Sequence, residues 1–572
     1  MTKHEIAQAL KEIAFFLSLK GDNPYKAQAY ERAGAALLTS PLGLHELLAT
    51  GSLTEVTGIG PATARAITEL VTTGQSSLLD EARGSYPSSL ATLGDVPGLS
   101  RKQIVKLHEQ AHITSLAELK AACRDGRLLK IPGIGPKVQA KLQDALGEYE
   151  RGQGYHLYAD VVDEAQDLAR ALKGFPGVQA VSLSGAIRRK MEVVNEYVFV
   201  VACDKGNAVT RLMKRLPSIP NLTELYADSD TITARSPIGL PLRIIVTSAR
   251  HFGHALLHST GSAEHLDELL RWFQARGLKD WRAVQAKFPN ADEAALYEAI
   301  RLPYIPPELR EGRGELDLAS QDTLPPLLES RQIQGVFHVH TDYSDGAGTL
   351  DEMVTAARQR GLRYLGISDH SQSAFYANGL KEPQIRAQWE EIERVQRKYR
   401  DIHIFKGIEA DILPNGSMDY PDDLLAQFDF VIASVHSRFN LSEEDQTHRI
   451  CTALSNPYVT MLGHPTGRLL LGRRGYRVDL DRVIATAAEH RKVLEINGSR
   501  HRLDLDWRWV RVAKARSVHF CVNPDAHAVE EFENVTFGVN VAQKAGLSKG
   551  DVLNTRSLTA MKSFLRQARP QE

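Results

Sequence analysis

The sequence predicts a multidomain chain: a helical N-terminal region, a mixed α+β middle and a C-terminal parallel α/β barrel. Three observations predict it. With 572 residues the chain is several times the length of one ordinary domain. Through residues 1–150 helical patterning dominates, as in the spacing of Ile6, Leu10, Ile13 and Leu17. From Val336 onward short strand-like runs alternate regularly with helix-like segments, the pattern of a barrel in which each strand is followed by a helix.

Residues 1–80 read as short helices broken at Gly21-Asp22-Asn23-Pro24, and residues 81–150 continue as helices broken by Pro87, Pro97-Gly98 and Pro132-Gly133. In residues 151–250 helices alternate with Val178–Leu183, Tyr197–Cys203, Thr231–Ala234 and Leu242–Val246, which predicts an α+β domain. Residues 251–315 return to helix and end near Tyr304-Ile305-Pro306-Pro307-Glu308, and the polar stretch 316–334 predicts a linker. The barrel domain spans 335–572, with strands expected at Val336–Val339, Leu365–Ser368, Ile402–Lys406, Phe430–Ser434, Thr460–Gly463, Val493–Ile496 and His519–Val522.

Composition excludes several classes. Hydrophobic residues make up 43% and charged residues 24%, enough apolar material for more than one core. A formal net charge of −1 excludes a uniformly basic surface, so any nucleic-acid binding must come from local features. The four cysteines, Cys123, Cys203, Cys451 and Cys521, form no CxxC pair, which argues against thiolate zinc or a disulfide frame and fits a reducing cytoplasm. The apolar run Ile13–Leu19 is too short for a signal peptide, and no run approaches the ~18 residues of a membrane span. A soluble cytoplasmic protein without a membrane partner is expected.

The chemistry-bearing residues concentrate at predicted strand ends of the barrel. His338 and His340 stand two apart on the first strand and so share a face. Asp345 follows in a Ser-Asp-Gly turn; His370, Glu409, His436 and His464 each close a later strand, and Asp525 and His527 follow the last. Residues at strand C-terminal ends of such a barrel converge on one mouth. A single histidine there is more often a cap than a ligand, but nine N and O donors at successive strand ends are not independent accidents. Imidazole with carboxylate and no thiolate suits zinc, manganese or iron. Asp369, beside His370, could orient ligands or simply cap the turn.

In the N-terminal half, Val56-Thr57-Gly58-Ile59-Gly60-Pro61 and Ile131-Pro132-Gly133-Ile134-Gly135-Pro136-Lys137 each precede a helix, and Val96-Pro97-Gly98-Leu99-Ser100 is a partial copy. Such glycine turns leave helix N-terminal N–H groups free to meet a phosphate, holding a duplex without reading its sequence. Gly58, Gly60, Gly98, Gly133, Gly135 and Lys137 are therefore the candidate DNA contacts.

These motifs carry resemblances. The barrel residues resemble the PHP (polymerase and histidinol phosphatase) domain over residues 335–540, with every ligand position of that pattern filled. The resemblance implies a distorted (β/α)7 barrel, three divalent ions (zinc or manganese, with iron as an alternative) and phosphoester hydrolysis. The glycine turns resemble helix-hairpin-helix motifs. Residues 1–315 resemble a family X DNA polymerase through Gly185-Ala186-Ile187-Arg188-Arg189, Glu192, Ser259-Thr260-Gly261-Ser262 and Tyr304-Ile305-Pro306-Pro307-Glu308-Leu309-Arg310. That implies an N-terminal 8-kDa-like domain, fingers, a palm and a thumb, DNA with gaps, nicks or 3′ ends as partner, and weak nucleotide contacts at Arg188, Arg189, Gly261 and Ser262.

Departures from the pattern shape the expected function. Where the polymerase family places three catalytic aspartates, this chain has Glu196, Val198 and Pro241, and Ala186 replaces a triphosphate-contacting serine. Two-metal nucleotidyl transfer needs carboxylates to hold Mg²⁺ or Mn²⁺, so the palm is expected to lack that centre unless Asp204 or Glu192 stands in. Ala62 and Ala66 leave no lysine for a lyase Schiff base in the first hairpin. The expectation is a DNA-repair protein hydrolysing DNA phosphodiesters as a 3′–5′ exonuclease. The alternatives are an active gap-filling polymerase with an editing barrel, a small-molecule phosphatase, and a non-catalytic DNA scaffold.

Overall fold

The computed structural model of the chain describes residue 1 and residues 3–39, 44–84, 86–96, 99–204 and 206–569. Helices come first. Lys3–Leu19 and Pro24–Thr39 pack as a pair, joined by helices that include Pro61–Thr73, Arg101–Ala111 and Pro136–Gly152. One apolar core runs through all of them, with Ile6, Leu10, Ile13, Ile67, Ile104 and Leu107 fully buried. Capping fixes the starts: Ser100 and Gln103 form a reciprocal capping box at Arg101–Ala111.

The middle holds strands β1 (His156–Leu157), β2 (Val178–Ser184), β3 (Val193–Val194), β4 (Tyr197–Cys203), β5 (Thr223–Asp228), β6 (Thr231–Arg235) and β7 (Pro241–Thr247). Five of them form a sheet in the order β2-β4-β7-β6-β5, in which only β4 and β7 run parallel. Buried on every residue, β4 is an interior strand between β2 and β7, as its unbroken apolar run requires. A thumb-like helical layer with its own core around Leu257, Leu269, Phe273 and Tyr297 follows.

The last seven strands are β8 (Gly335–Val336), β9 (Tyr364–Ile367), β10 (His403–Asp411), β11 (Phe430–Ser434), β12 (Met461–Leu462), β13 (Val493–Asn497) and β14 (Phe520–Asn523). They lie side by side in chain order, all parallel. Side chains complete the seam between β8 and β14. Asn554 Nδ2 donates to Gly335 O at 2.9 Å and to Val522 O at 2.6 Å, while Phe337 N donates to Asn523 Oδ1 at 3.0 Å. Lower in the barrel Phe337, Tyr364, Phe405 and Phe430 pack together. A Cβ on Gly407 would meet the Phe430 ring at 2.1 Å, so this glycine makes room for that plug. Along β10 the inward face passes from Phe405 through Gly407 to Glu409 and Asp411, which places an apolar floor beneath a polar mouth.

Residues 316–334 are woven into the junction of the two halves: Leu328 N donates to Leu547 O at 2.9 Å. The polymerase-like body docks on the barrel through Lys544, fully buried at its side chain and 2.6 Å from Glu311 Oε1. Lys190 Nζ meets Gln543 Oε1 at 2.6 Å, and Tyr158 stands edge-on to Phe537.

Candidate metal centre

Each of the nine barrel residues reaches the mouth. The ligand atoms of His340, Asp345, His370 and His527 lie within 4.8 Å of one another, and so do those of His338, His464 and Asp525, of His338, His340 and Glu409, and of His370, Glu409 and His436. Glu409 lies in two of these groups. Its Oε1 is 2.9 Å from His464 Nε2, 3.2 Å from His436 Nε2 and 3.3 Å from His338 Nε2, and its Oε2 is 2.9 Å from His370 Nδ1. Asp525 Oδ1 sits 3.3 Å from His338 Nε2 and 3.4 Å from His340 Nε2, and Asp345 Oδ1 lies 3.4 Å from His527 Nε2.

The backbone delivers these groups in two ways. Glu409 lies within β10, while His436 and His464 follow the ends of β11 and β12. His338 and His340 differ from expectation. Strand β8 ends at Val336, so both histidines stand in an extended segment beyond it, tied to the last strand's exit. His340 N donates to Ala526 O at 2.9 Å and Ala526 N to His338 O at 3.2 Å. His464 and Asp525 adopt positive φ, 22° and 53°, a conformation that side-chain-bearing residues rarely hold without support from the surrounding fold.

The residues fit a cation cluster. His338 Nε2, both ring nitrogens of His340, His370 Nδ1, Glu409 Oε2 and His464 Nδ1 are buried without a hydrogen-bond partner. Buried polar atoms are normally satisfied, so a concentration of lone pairs aimed at one space marks a site built for positive charge. Burial and the neighbouring His527 and His370 hold the His340 imidazole well below its ordinary range, which keeps its lone pair available. Burial pushes the Glu409 carboxyl up, but His436, His338 and His370 outweigh it and hold the group well below the usual carboxylate range.

A surrounding layer orients the cluster, and most of it escaped sequence reasoning. Glu495 Oε1 lies 2.7 Å from His338 Nδ1 and accepts from Asn523 Nδ2 at 2.9 Å; Glu495 Oε2 accepts from His464 N at 2.7 Å. Asp411 Oδ1 lies 2.5 Å from His436 Nδ1. Such partners fix ring orientation and tautomer. One signal could have revealed Glu495: a carboxylate inside Val493-Leu494-Glu495-Ile496 has no reason to be buried unless something polar faces it. Asp369 is buried, accepting from Thr341 N, Thr341 Oγ1, Ser344 Oγ and Gln388 Nε2, which positions the loop bearing Asp345.

In the polymerase-like body Glu196 pairs with Arg243, Nη2 to Oε1 at 2.9 Å. Val198 is buried, 3.2 Å from where a Cβ on Gly185 would stand, and Pro241 opens β7. Arg188 is held by Glu293 at 2.6 Å and Thr260 Oγ1 at 2.7 Å, and Arg189 by Glu311 at 2.9 Å and Thr260 O at 2.7 Å. Gly261 ends one helix, and Ser262 caps the next by accepting from His265 N at 3.2 Å. Gly58 and Gly133 take φ of 99° and 88°, and Gly60 and Gly135 are exposed N-caps of Pro61–Thr73 and Pro136–Gly152. Lys137 is exposed in the first turn of the second of these helices. Gly98 lies outside the described residues.

Comparison with known proteins matches four family models to parts of the chain. Residues 1–76 match a helix-hairpin-helix domain, residues 50–112 and 90–148 a SAM-like helix-hairpin-helix tandem, residues 255–311 the DNA polymerase beta thumb and residues 337–499 the PHP domain. The DNA polymerase/3′-5′ exonuclease PolX of Bacillus subtilis (strain 168) is 33% identical over 580 residues, covering 99% of this chain and 100% of the relative. A probable phosphatase of Thermoanaerobacter sp. (strain X514) is 30% identical over 243 residues, 40% of this chain and 93% of the relative. The shorter relative is thus similar to part of the chain, whereas the Bacillus protein matches it from end to end, and the chain belongs to the bacterial PolX family, a polymerase X-like body joined to a PHP barrel.

Proposed function

We propose that the chain hydrolyses DNA phosphodiesters at the barrel mouth as a 3′–5′ exonuclease in DNA repair, while the polymerase-like body holds gapped, nicked or ended DNA without extending it. The observation that carries this is the convergence of four overlapping groups of candidate ligands, joined through Glu409, His338, His340 and His370. His338, His340, Asp345, His370, Glu409, His436, His464, Asp525 and His527 would hold three divalent ions, zinc or manganese with iron as an alternative. When bound, such ions polarise a phosphoester and make water reactive near neutral pH. The protein's own contribution is arrangement: Glu495 and Asp411 orient the His338 and His436 rings, and the burial of His340 keeps its imidazole neutral.

The body suits DNA through exposed glycine turns at helix N-termini, where backbone N–H groups can receive phosphates. Arg188 and Arg189 are already engaged by Glu293 and Glu311, which favours DNA holding over nucleotide selection. Hydrolysis of 3′-labelled and 5′-labelled oligonucleotides, with metal content measured in parallel, tests the reading. His340→Ala is expected to lose both bound metal and nuclease activity, and nuclease that survives His340→Ala in a pure preparation would refute it.

A further inference from the structure

The loop between β9 and the helix Glu382–Lys398 carries two aromatic rings in an unusual position. Phe375 is 84% exposed and Tyr376 68%, on a single 3-10 turn. Isolated exposed apolar residues need no explanation. These two differ because the loop beneath them is firmly built. Ala374 and Ala377, on either side of the pair, are fully buried. Ser371 Oγ donates to Asp419 Oδ2 at 2.7 Å, Ser373 N donates to the same oxygen at 3.0 Å, and Asn378 Nδ2 donates to Ser344 O at 3.2 Å. Gly379 passes so close to Ser371 O that no Cβ would fit. The rings are held out by an anchored scaffold.

Tyr376 also stands beside the centre itself, with Phe375 next to it on the same turn. The Tyr376 ring centroid is 6.1 Å from that of His370 and 6.3 Å from that of His436. Across the mouth, Arg502 Nε lies 3.4 Å from Asp525 Oδ2, a cation beside the place where a phosphoester would react. Aromatic faces next to a phosphate-handling centre match one ligand chemistry well, a nucleobase attached to its phosphate, because every base offers a π-face and stacking tolerates any sequence.

We propose that Phe375 and Tyr376 form the subsite that stacks the terminal nucleobase of a single-stranded DNA end and places its phosphodiester over the centre. This rests on the phosphodiesterase reading above and adds what that reading lacks, a reason why the substrate is a nucleic-acid end. The rings are positioning residues, since neither contributes a group to the reacting atoms.

The test uses the full chain and two single-stranded oligonucleotides, one ending in a 3′ nucleotide and one ending in a 3′ abasic residue. Wild type is expected to prefer the base-bearing end through a lower KM. Phe375→Ala with Tyr376→Ala should raise that KM on the order of tenfold while acting far less on the abasic end, so that the preference collapses. Tyr376→Phe, which keeps a ring, should retain it. Equal losses on both ends, or no change on either, would overturn the stacking subsite while leaving the phosphodiesterase reading intact. A wild-type chain that cleaves neither end would overturn the phosphodiesterase reading and the subsite with it.

Discussion

Arg243 Nη2 donates to Glu196 Oε1 at 2.9 Å, an ion pair that joins the residue just before β4 to the parallel strand β7, at positions that the sequence resemblance aligns with the metal-binding carboxylates of a family X polymerase. Opposite Arg243 in the register stands Val198. A guanidinium already pairs with the one remaining carboxylate, and the other two positions have no lone pair to offer a cation. The chain is therefore expected to give no primer extension on gapped DNA in Mg²⁺ or Mn²⁺, and Glu196→Ala should change nothing in that assay. Incorporation that Glu196→Ala abolishes would contradict this account.

Glu495 supports the cluster from a fully buried position beside His338 and His464. It spans His338 Nδ1 at 2.7 Å and His464 N at 2.7 Å. Glu495→Gln preserves shape and removes the charge that orients His338. Loss of such a partner costs about 10–100-fold in metal affinity or activity. Competition against a chelator should show weaker metal retention and nuclease assays a matching decline; unchanged affinity would mean that the ring is held by packing alone.

How legible all this was depended on whether a residue's neighbours could be inferred locally. Tyr197–Cys203 and Phe430–Ser434 are strands at the expected bounds, because continuous burial demands a continuous apolar run. β10 runs on to Asp411, past the expected Lys406, because its last inward residues are polar and break the apolar signal where the centre begins. β8 stops early for a related reason: His338 and His340 leave the ladder to reach the mouth, and only Val339 retains a bridge, to Ala526. Thr223–Asp228 could not be read as a strand, since it is a polar, exposed edge. The candidate ligands share a visible rule, a donor at each strand's end. Glu495 stood out only as a carboxylate inside an apolar run, Asp411 lay beyond the expected end of its strand, and the role of the Phe375–Tyr376 turn became visible only with its neighbours in the fold.

Lys492 gives the fold a pH dependence of its own, away from the cluster. Its side chain is buried behind β13, donating to Val459 O at 2.6 Å and Asn456 O at 2.9 Å. Burial lowers its pKa from the ordinary 10.5 to about 8, with no carboxylate among the causes to oppose the shift. Between those two values the unfolded chain binds a proton that the native chain has released, so this group makes stability rise with pH across that window. Below about pH 8 both states carry the proton and the contribution is flat. Lys492→Met removes the titration. The difference in Tm between wild type and Lys492→Met should therefore shift in favour of wild type as pH rises from 8 toward 10.5. A difference independent of pH over that range would show that the amine stays protonated on the three carbonyls of Asn456, Pro457 and Val459, and that their hydrogen bonds outweigh its burial.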